Sequence, residues 1–186
     1  MRIGLDVDGC FADFNTAFIQ RVVDITGMDR FPERPFDIPC WNYPEHYGYS
    51  AEDTTRVWNS VTSDPLFWRN LPAYEDAWIA LGKIAALNDD VYFITSRPGI
   101  QAKLQTEYWL RTHNYQNRPT VLISSAKGLC VRALKIDSYL DDRWENAMEA
   151  KAAGAQTFLI DRPWNREHDA EFFGIRRIYS PLEMLA

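Results

Sequence analysis

Asp6 and Asp8 stand two residues apart at the end of the apolar run in IGLDVDGCFADF (residues 3–14). Residues i and i+2 of an extended strand face the same side, so both carboxylates project together while Val7 points away. Three later runs end in polar groups of matching kind: Thr95-Ser96 after VYFIT, Lys127 after TVLIS, and Asp141-Asp142 after SYL. Like charges at ~4 Å repel by roughly 4 kcal/mol at an effective dielectric near 20, so such a cluster demands positive compensation beyond one lysine. Oxygen donors without convergent His or Cys favour a hard cation such as Mg²⁺. A cation, a lysine and two hydroxyls form a site for a phosphoryl group. One carboxylate is then free to act as nucleophile and the other to carry protons. Each motif alone has an ordinary explanation, as a turn, a cap or a solvated charge; their joint occurrence at strand ends does not.

The elements that would position these groups alternate. Arg2–Val7 reads as a strand interrupted by Gly4. Phe11, Phe14, Phe18, Val22 and Ile25 then recur at helical spacing up to Gly27. Residues 28–49, with Pro32, Pro35, Pro39 and Pro44, read as an irregular connection. Ser50-Ala-Glu-Asp53 starts a helix that ends at Asp64-Pro65, and another spans Tyr74 to Leu87. Strands at 91–95, 120–124, 138–141, 156–160 and 176–180 follow. Helices separate the first four: Ile100–His113, with Leu104, Tyr108 and Arg111 on one side, then Gly128–Leu134 and Glu145–Ala153. Ser180-Pro181 opens a terminal helix. The expected fold is α/β: a doubly wound, mostly parallel Rossmann-like sheet that binds ligands beyond the carboxyl ends of its strands. Residues 1–14 and 76–186 form its core, and the aromatic segment 15–75 a helical cap inserted after the first strand.

Composition agrees with that class. The 186 residues suffice for one domain with a small insertion, and 46% hydrophobic against 25% charged residues describes an ordinary soluble globular chain. A net charge of −6 without a Lys/Arg cluster argues against a nucleic-acid partner. Cys10, Cys40 and Cys130 form no CxxC pair, and His46, His113 and His168 share no ligand spacing. With neither signal peptide nor membrane span, a cytoplasmic protein is expected.

DVDG (6–9), FITS (93–96), Lys127 and YLDDR (139–143) together resemble the haloacid dehalogenase superfamily of phosphotransferases. That resemblance implies Asp6 as nucleophile and Asp8 as general acid and base, with Thr95 and Lys127 on the phosphoryl oxygens. Asp142, assisted by Asp141, would bind Mg²⁺ with Asp6 and the Asp8 carbonyl. Asp8 favours phosphate esters over haloacids. DVDGCFADF, FPERPF (31–36), WNYPEHYG (41–48) and RVWNS (56–60) narrow the likeness to the C-type 5'-nucleotidases, also called 5'(3')-deoxyribonucleotidases. Similar enzymes hold the base between cap aromatics, here Phe14, Trp41 and Trp58, with Ser96 at the phosphate. Aromatic faces stack on bases for ~1–3 kcal/mol each, and the same rings equally suit the core of a small cap. Cys40 and Arg97 depart from the pattern. Arg97 either touches the phosphate or pairs with an acidic neighbour, and Asp161–Asn165 either lines the entrance or makes a turn. The resulting expectation is a Mg²⁺-dependent phosphomonoesterase acting through an aspartyl-phosphate on (deoxy)nucleoside 5'-monophosphates. The rivals are a phosphatase for another small ester or a nucleic-acid 3'-phosphate, and a non-catalytic phosphate-binding protein.

Overall fold

The computed structural model describes residues 1–31, 38, 43–87 and 89–185. Residues 32–37 and 39–42, with Cys40 and Trp41 among them, lie outside the described residues. Among the described residues six strands, β1 (Arg2–Leu5), β2 (Asp90–Thr95), β3 (Thr120–Ile123), β4 (Ser138–Asp141), β5 (Gln156–Ile160) and β6 (Arg176–Ile178), form one sheet. Its order is β3-β2-β1-β4-β5-β6, and every pairing is parallel. This is the doubly wound topology expected. The chain leaves β1 toward one edge and returns to lay β4 on its other side, so the switch point falls between β1 and β4. β4 is buried along its whole length, as suits a strand covered on both faces. Gly4 fits the same sheet for a steric reason. A Cβ there would stand 2.8 Å from the ring of Tyr139 on β4.

Between β1 and β2 lie α1 (Phe14–Thr26), α2 (Tyr43–His46), α3 (Ala51–Ser63) and α4 (Ala77–Ala85). α1 begins three residues later than its apolar spacing predicts. Residues 7–12 instead close a tight turn, in which the amides of Phe11 and Ala12 both donate to the Val7 carbonyl. Asp13 caps α1 through the amide and hydroxyl of Thr16, and Gly27 ends it in the left-handed conformation. Ser50 caps α3 through the amide of Asp53, as expected. One apolar cluster runs without a break from Ile3, Leu5 and Phe93 in the sheet to Phe14, Phe18, Val57 and Val61 in α1 and α3.

After β2 come α5 (Ala102–Thr112), α6 (Lys127–Leu134) and α7 (Trp144–Ala152). Leu104, Tyr108 and Arg111 share one side of α5, and it is the solvent side. The buried side carries Ala102, Gln105, Thr106, Trp109 and Leu110. Gln105 and Thr106 are tolerated there because their polar atoms are used: Gln105 Oε1 accepts the Trp68 amide at 2.9 Å. The terminal segment Pro181–Leu185 is a 3₁₀ rather than an α helix, with Glu183 accepting from the amides of Tyr179 and Ser180. No helix among the described residues is long and apolar enough to cross a membrane.

Candidate active site

Four neighbouring strands deliver the site. Asp6 follows β1, its amide donating to the Leu140 carbonyl at 2.9 Å across the switch point. Thr95 ends β2, Lys127 opens α6 after β3, and Asp141 ends β4 with Asp142 beyond it. Asp6, Asp8, Thr95, Ser96, Arg97 and Lys127 line one pocket with Phe14, Trp58, Trp68, Pro98, Arg143 and Asn146.

Lys127 is the electrostatic centre. Its ammonium lies 2.7 Å from Asp6 Oδ2 and 3.0 Å from Asp141 Oδ2, with all three side chains buried. Burial works against the charge, but the two carboxylates outweigh it and hold Lys127 protonated above its usual range. Burial also dominates at Asp6. Reinforced by Asp141 and Asp8, it pushes that carboxyl up to about 7 although Lys127 pulls the other way. The two effects are consistent, because one ammonium is shared among more carboxylates than it can neutralise.

Asp141 and Asp142 differ sharply. Asp141 is completely enclosed. Tyr139 donates to its Oδ2 at 2.7 Å, while Asn146 at 3.0 Å and the Arg143 amide at 2.9 Å donate to its Oδ1. With Lys127 added, both oxygens are fully engaged, so Asp141 holds the lysine and α7 in place. Asp142 accepts from Trp164 Nε1 at 3.0 Å on Oδ2, whereas its buried Oδ1 has no hydrogen-bond partner among the described residues. An orphaned buried oxygen is costly unless something else satisfies it. Ligand atoms from Asp6, Asp142 and Cys10 lie within 4.8 Å of one another, so the residues fit a divalent cation. The Cys10 thiol is pushed well above its ordinary pKa by burial and by three nearby carboxylates, which leaves it a protonated, weak donor. Burial, with Asp6 and Asp141, likewise raises Asp142 well above the carboxylate range. Gly9, at φ +76°, completes the cradle, since a Cβ there would fall 2.1 Å from Asp142 Oδ2.

Asp8 points elsewhere. Arg97 grips it with Nε on Oδ2 at 2.9 Å and Nη2 on Oδ1 at 2.7 Å, and Thr95 Oγ1 reaches Oδ2 at 3.5 Å. Of the two roles open to Arg97, the structure therefore has it paired with an acidic neighbour. The Ser96 hydroxyl donates to the Ser124 carbonyl at 3.1 Å while its residue still borders the pocket.

The aromatic wall combines predicted and unpredicted rings. Phe14 is buried in the α1 stripe and also lines the pocket, stacked on Trp58 at 6.0 Å and on Trp68 at 5.6 Å. Trp58, half-buried, meets Phe18 at 4.8 Å. Trp68 and Asn146 were not singled out by sequence reasoning, and Tyr139 and Trp164 entered it only as members of the 139–143 and 161–165 stretches. The 161–165 stretch proves to be a brace, in which Asn165 donates to the Asp142 carbonyl at 2.7 Å and Arg162 to the Gly9 carbonyl at 2.7 Å. His113 and His168 stack on Trp109 and Trp144.

A nucleotidase of Clostridium acetobutylicum is 21% identical over 177 residues, spanning 90% of this chain and 83% of its own. A haloacid dehalogenase-like hydrolase from Streptococcus pneumoniae shares the fold with a TM-score of 0.68 at 13% identity, covering 99% of this chain and 96% of that one. A phosphatase structure from C. acetobutylicum, described as predicted, follows at a TM-score of 0.64 and 13% identity, covering 99% and 95%. The family model described as 5' nucleotidase, deoxy (pyrimidine), cytosolic type C matches residues 1–178. A match of that extent decides membership: this chain belongs to the cytosolic type C 5'-nucleotidase family and is a phosphoric monoester hydrolase.

Proposed function

We propose that the protein is a Mg²⁺-dependent phosphatase of (deoxy)nucleoside 5'-monophosphates working through a phosphorylated Asp6. The observation that carries this reading is the pairing of Asp6 with Lys127 beside the unpartnered Asp142 oxygen, at the foot of a pocket walled by Phe14, Trp58 and Trp68. Asp6 and Asp142 would hold the cation, which when bound screens the phosphoryl charge and the carboxylates around it. A carboxylate oxygen of Asp6 attacks phosphorus, and the ester P–O bond breaks. Asp8 gives its proton to the departing alkoxide, then takes one from the water that cleaves the Asp6–phosphoryl bond and releases phosphate. Thr95 and Lys127 bind the phosphoryl oxygens, and the segment 15–75 serves as the cap whose rings receive the base.

Phosphate release from 5'- and 3'-nucleoside monophosphates, ribo and deoxy, beside sugar phosphates and a 3'-phosphorylated oligonucleotide, tests the reading. It predicts that 5'-deoxynucleotides lead and that EDTA silences the reaction; preference for sugar phosphates or the oligonucleotide contradicts it. Trp58→Ala is expected to raise KM for the best nucleotide about tenfold, in line with ~1–3 kcal/mol per stacked base. The same change should leave KM for a sugar phosphate nearly untouched, and equal effects on both would remove Trp58 from the base site.

Metal binding should depend on pH in a defined sense. Asp6 is raised from its ordinary 3.8 to about 7, and Asp142 in the same direction, by burial first. Groups raised in the folded state contribute stability that is fully present below their unfolded pKa and lost as pH climbs through the folded one. The metal-free protein therefore loses stability as pH rises from near 4 through 7. Calorimetry should show Mg²⁺ raising Tm more above pH 7 than in mildly acidic buffer, because cation binding displaces protons. A Tm shift independent of pH would contradict the assignment of Asp6 and Asp142 as ligands.

A further inference from the structure

Arg97 carries a full charge with its side chain 0% exposed. Burying a guanidinium is costly unless its hydrogen bonds are all met in good geometry, so its partners indicate what it is for. Two of its nitrogens form a fork on Asp8, and Nη1 donates to Thr106 Oγ1 at 3.0 Å. Its guanidinium carbon lies over the rings of Trp68 at 5.2 Å and Trp109 at 6.0 Å. Each of these neighbours is tied down in turn. Thr106 donates to the Ala102 carbonyl at 2.7 Å, Trp109 to Leu71 at 2.8 Å, and Trp68 to Pro98 at 3.1 Å. Asp8 itself stands on a turn and keeps 15% of its side chain open to the pocket.

A carboxylate on a turn rotates freely about two torsions, and a proton donor misplaced by about 1 Å loses on the order of 100-fold in rate. We propose that Arg97 is the positioning residue of the proton-transfer carboxylate, fixing the plane of Asp8 so that its open edge meets the leaving oxygen. The inference rests on the reading of Asp8 as acid and base given above. It makes the enzyme selective by leaving group. An alkoxide departs only with a proton from Asp8, whereas p-nitrophenolate leaves without one, so the clamp matters for the first kind of ester and little for the second.

The test compares kcat/KM for a nucleoside 5'-monophosphate and for p-nitrophenyl phosphate, each measured on the same preparation so that their ratio is independent of the folded fraction. This parameter reports the steps through first P–O cleavage, free of the later hydrolysis of the phosphoenzyme. Arg97→Lys keeps a charge but not the fork. It is expected to lower the nucleotide value about 100-fold while p-nitrophenyl phosphate changes about threefold or less. Thr106→Val, which removes one guanidinium partner without touching Asp8, should shift the ratio in the same direction by about fivefold and stands in if Arg97→Lys does not fold. Parallel losses on both esters, or no loss on either, overturn the proposal. A wild-type enzyme that cleaves sugar phosphates rather than nucleotides refutes the substrate reading alone, and the same ratio is then taken with that alkyl ester. A wild-type protein that cleaves neither ester overturns both readings.

Discussion

Asp6→Asn is expected to reduce turnover of every phosphate ester by on the order of 10⁶-fold, the scale seen when a covalent nucleophile is removed. The same substitution is expected to leave the fold intact and to stabilise the metal-free protein above pH 7. Both expectations follow from one geometry. Asp6 is buried and pushed up to about 7 by its surroundings, so ionising it in the folded state costs stability that an amide does not lose. Its loss does not leave Lys127 alone, because Asp141 Oδ2 remains 3.0 Å from the ammonium. Steady-state kinetics with thermal denaturation of the same samples checks this. Activity within tenfold of wild type would refute the nucleophile assignment, and a large fall in Tm would refute the electrostatic account.

Lys127→Met should do the reverse, damaging stability as well as activity. The substitution leaves Asp6 and Asp141 without the ammonium that binds them, and removing one member of a buried pair costs ~3–5 kcal/mol. For a chain of this length that corresponds to a Tm lower by roughly 6–20 °C. Lys127 titrates above its ordinary 10.5, so its own charge is present throughout the neutral range. The pH dependence comes from its partner: below about 7 Asp6 accepts a proton, and the penalty for the missing lysine shrinks. Thermal melts across pH should therefore converge in acid and diverge above neutrality. A constant offset would mean that Lys127 acts by packing alone.

The strand ends were legible because parallel strands in a doubly wound sheet carry their functional groups to one edge. DVDG, FITS and LDDR each announce such an end by an apolar run followed by a polar pair. What remained hidden depended on which side chains the fold brings against each carboxylate. Asp141 and Asp142 are neighbours of identical type, and only the placement of Tyr139, Asn146 and Trp164 separates a filled carboxylate from one with a spare oxygen. Arg97 meets Asp8 across 89 positions, and its Thr106 contact lies on the buried face of α5. Trp68 sits in a 3₁₀ turn without periodicity, so nothing local marks it as a pocket wall.

The most direct test of the central claim is chemical trapping of the intermediate. The enzyme is quenched in acid while turning over its best nucleoside monophosphate with Mg²⁺, reduced with borohydride, and its N-terminal peptide sequenced by mass spectrometry. An acyl phosphate is reduced to the alcohol, so the account predicts homoserine at position 6, absent with EDTA and absent in Asp6→Asn. Homoserine at position 8, or continued phosphate release without any reduced aspartate, would contradict it.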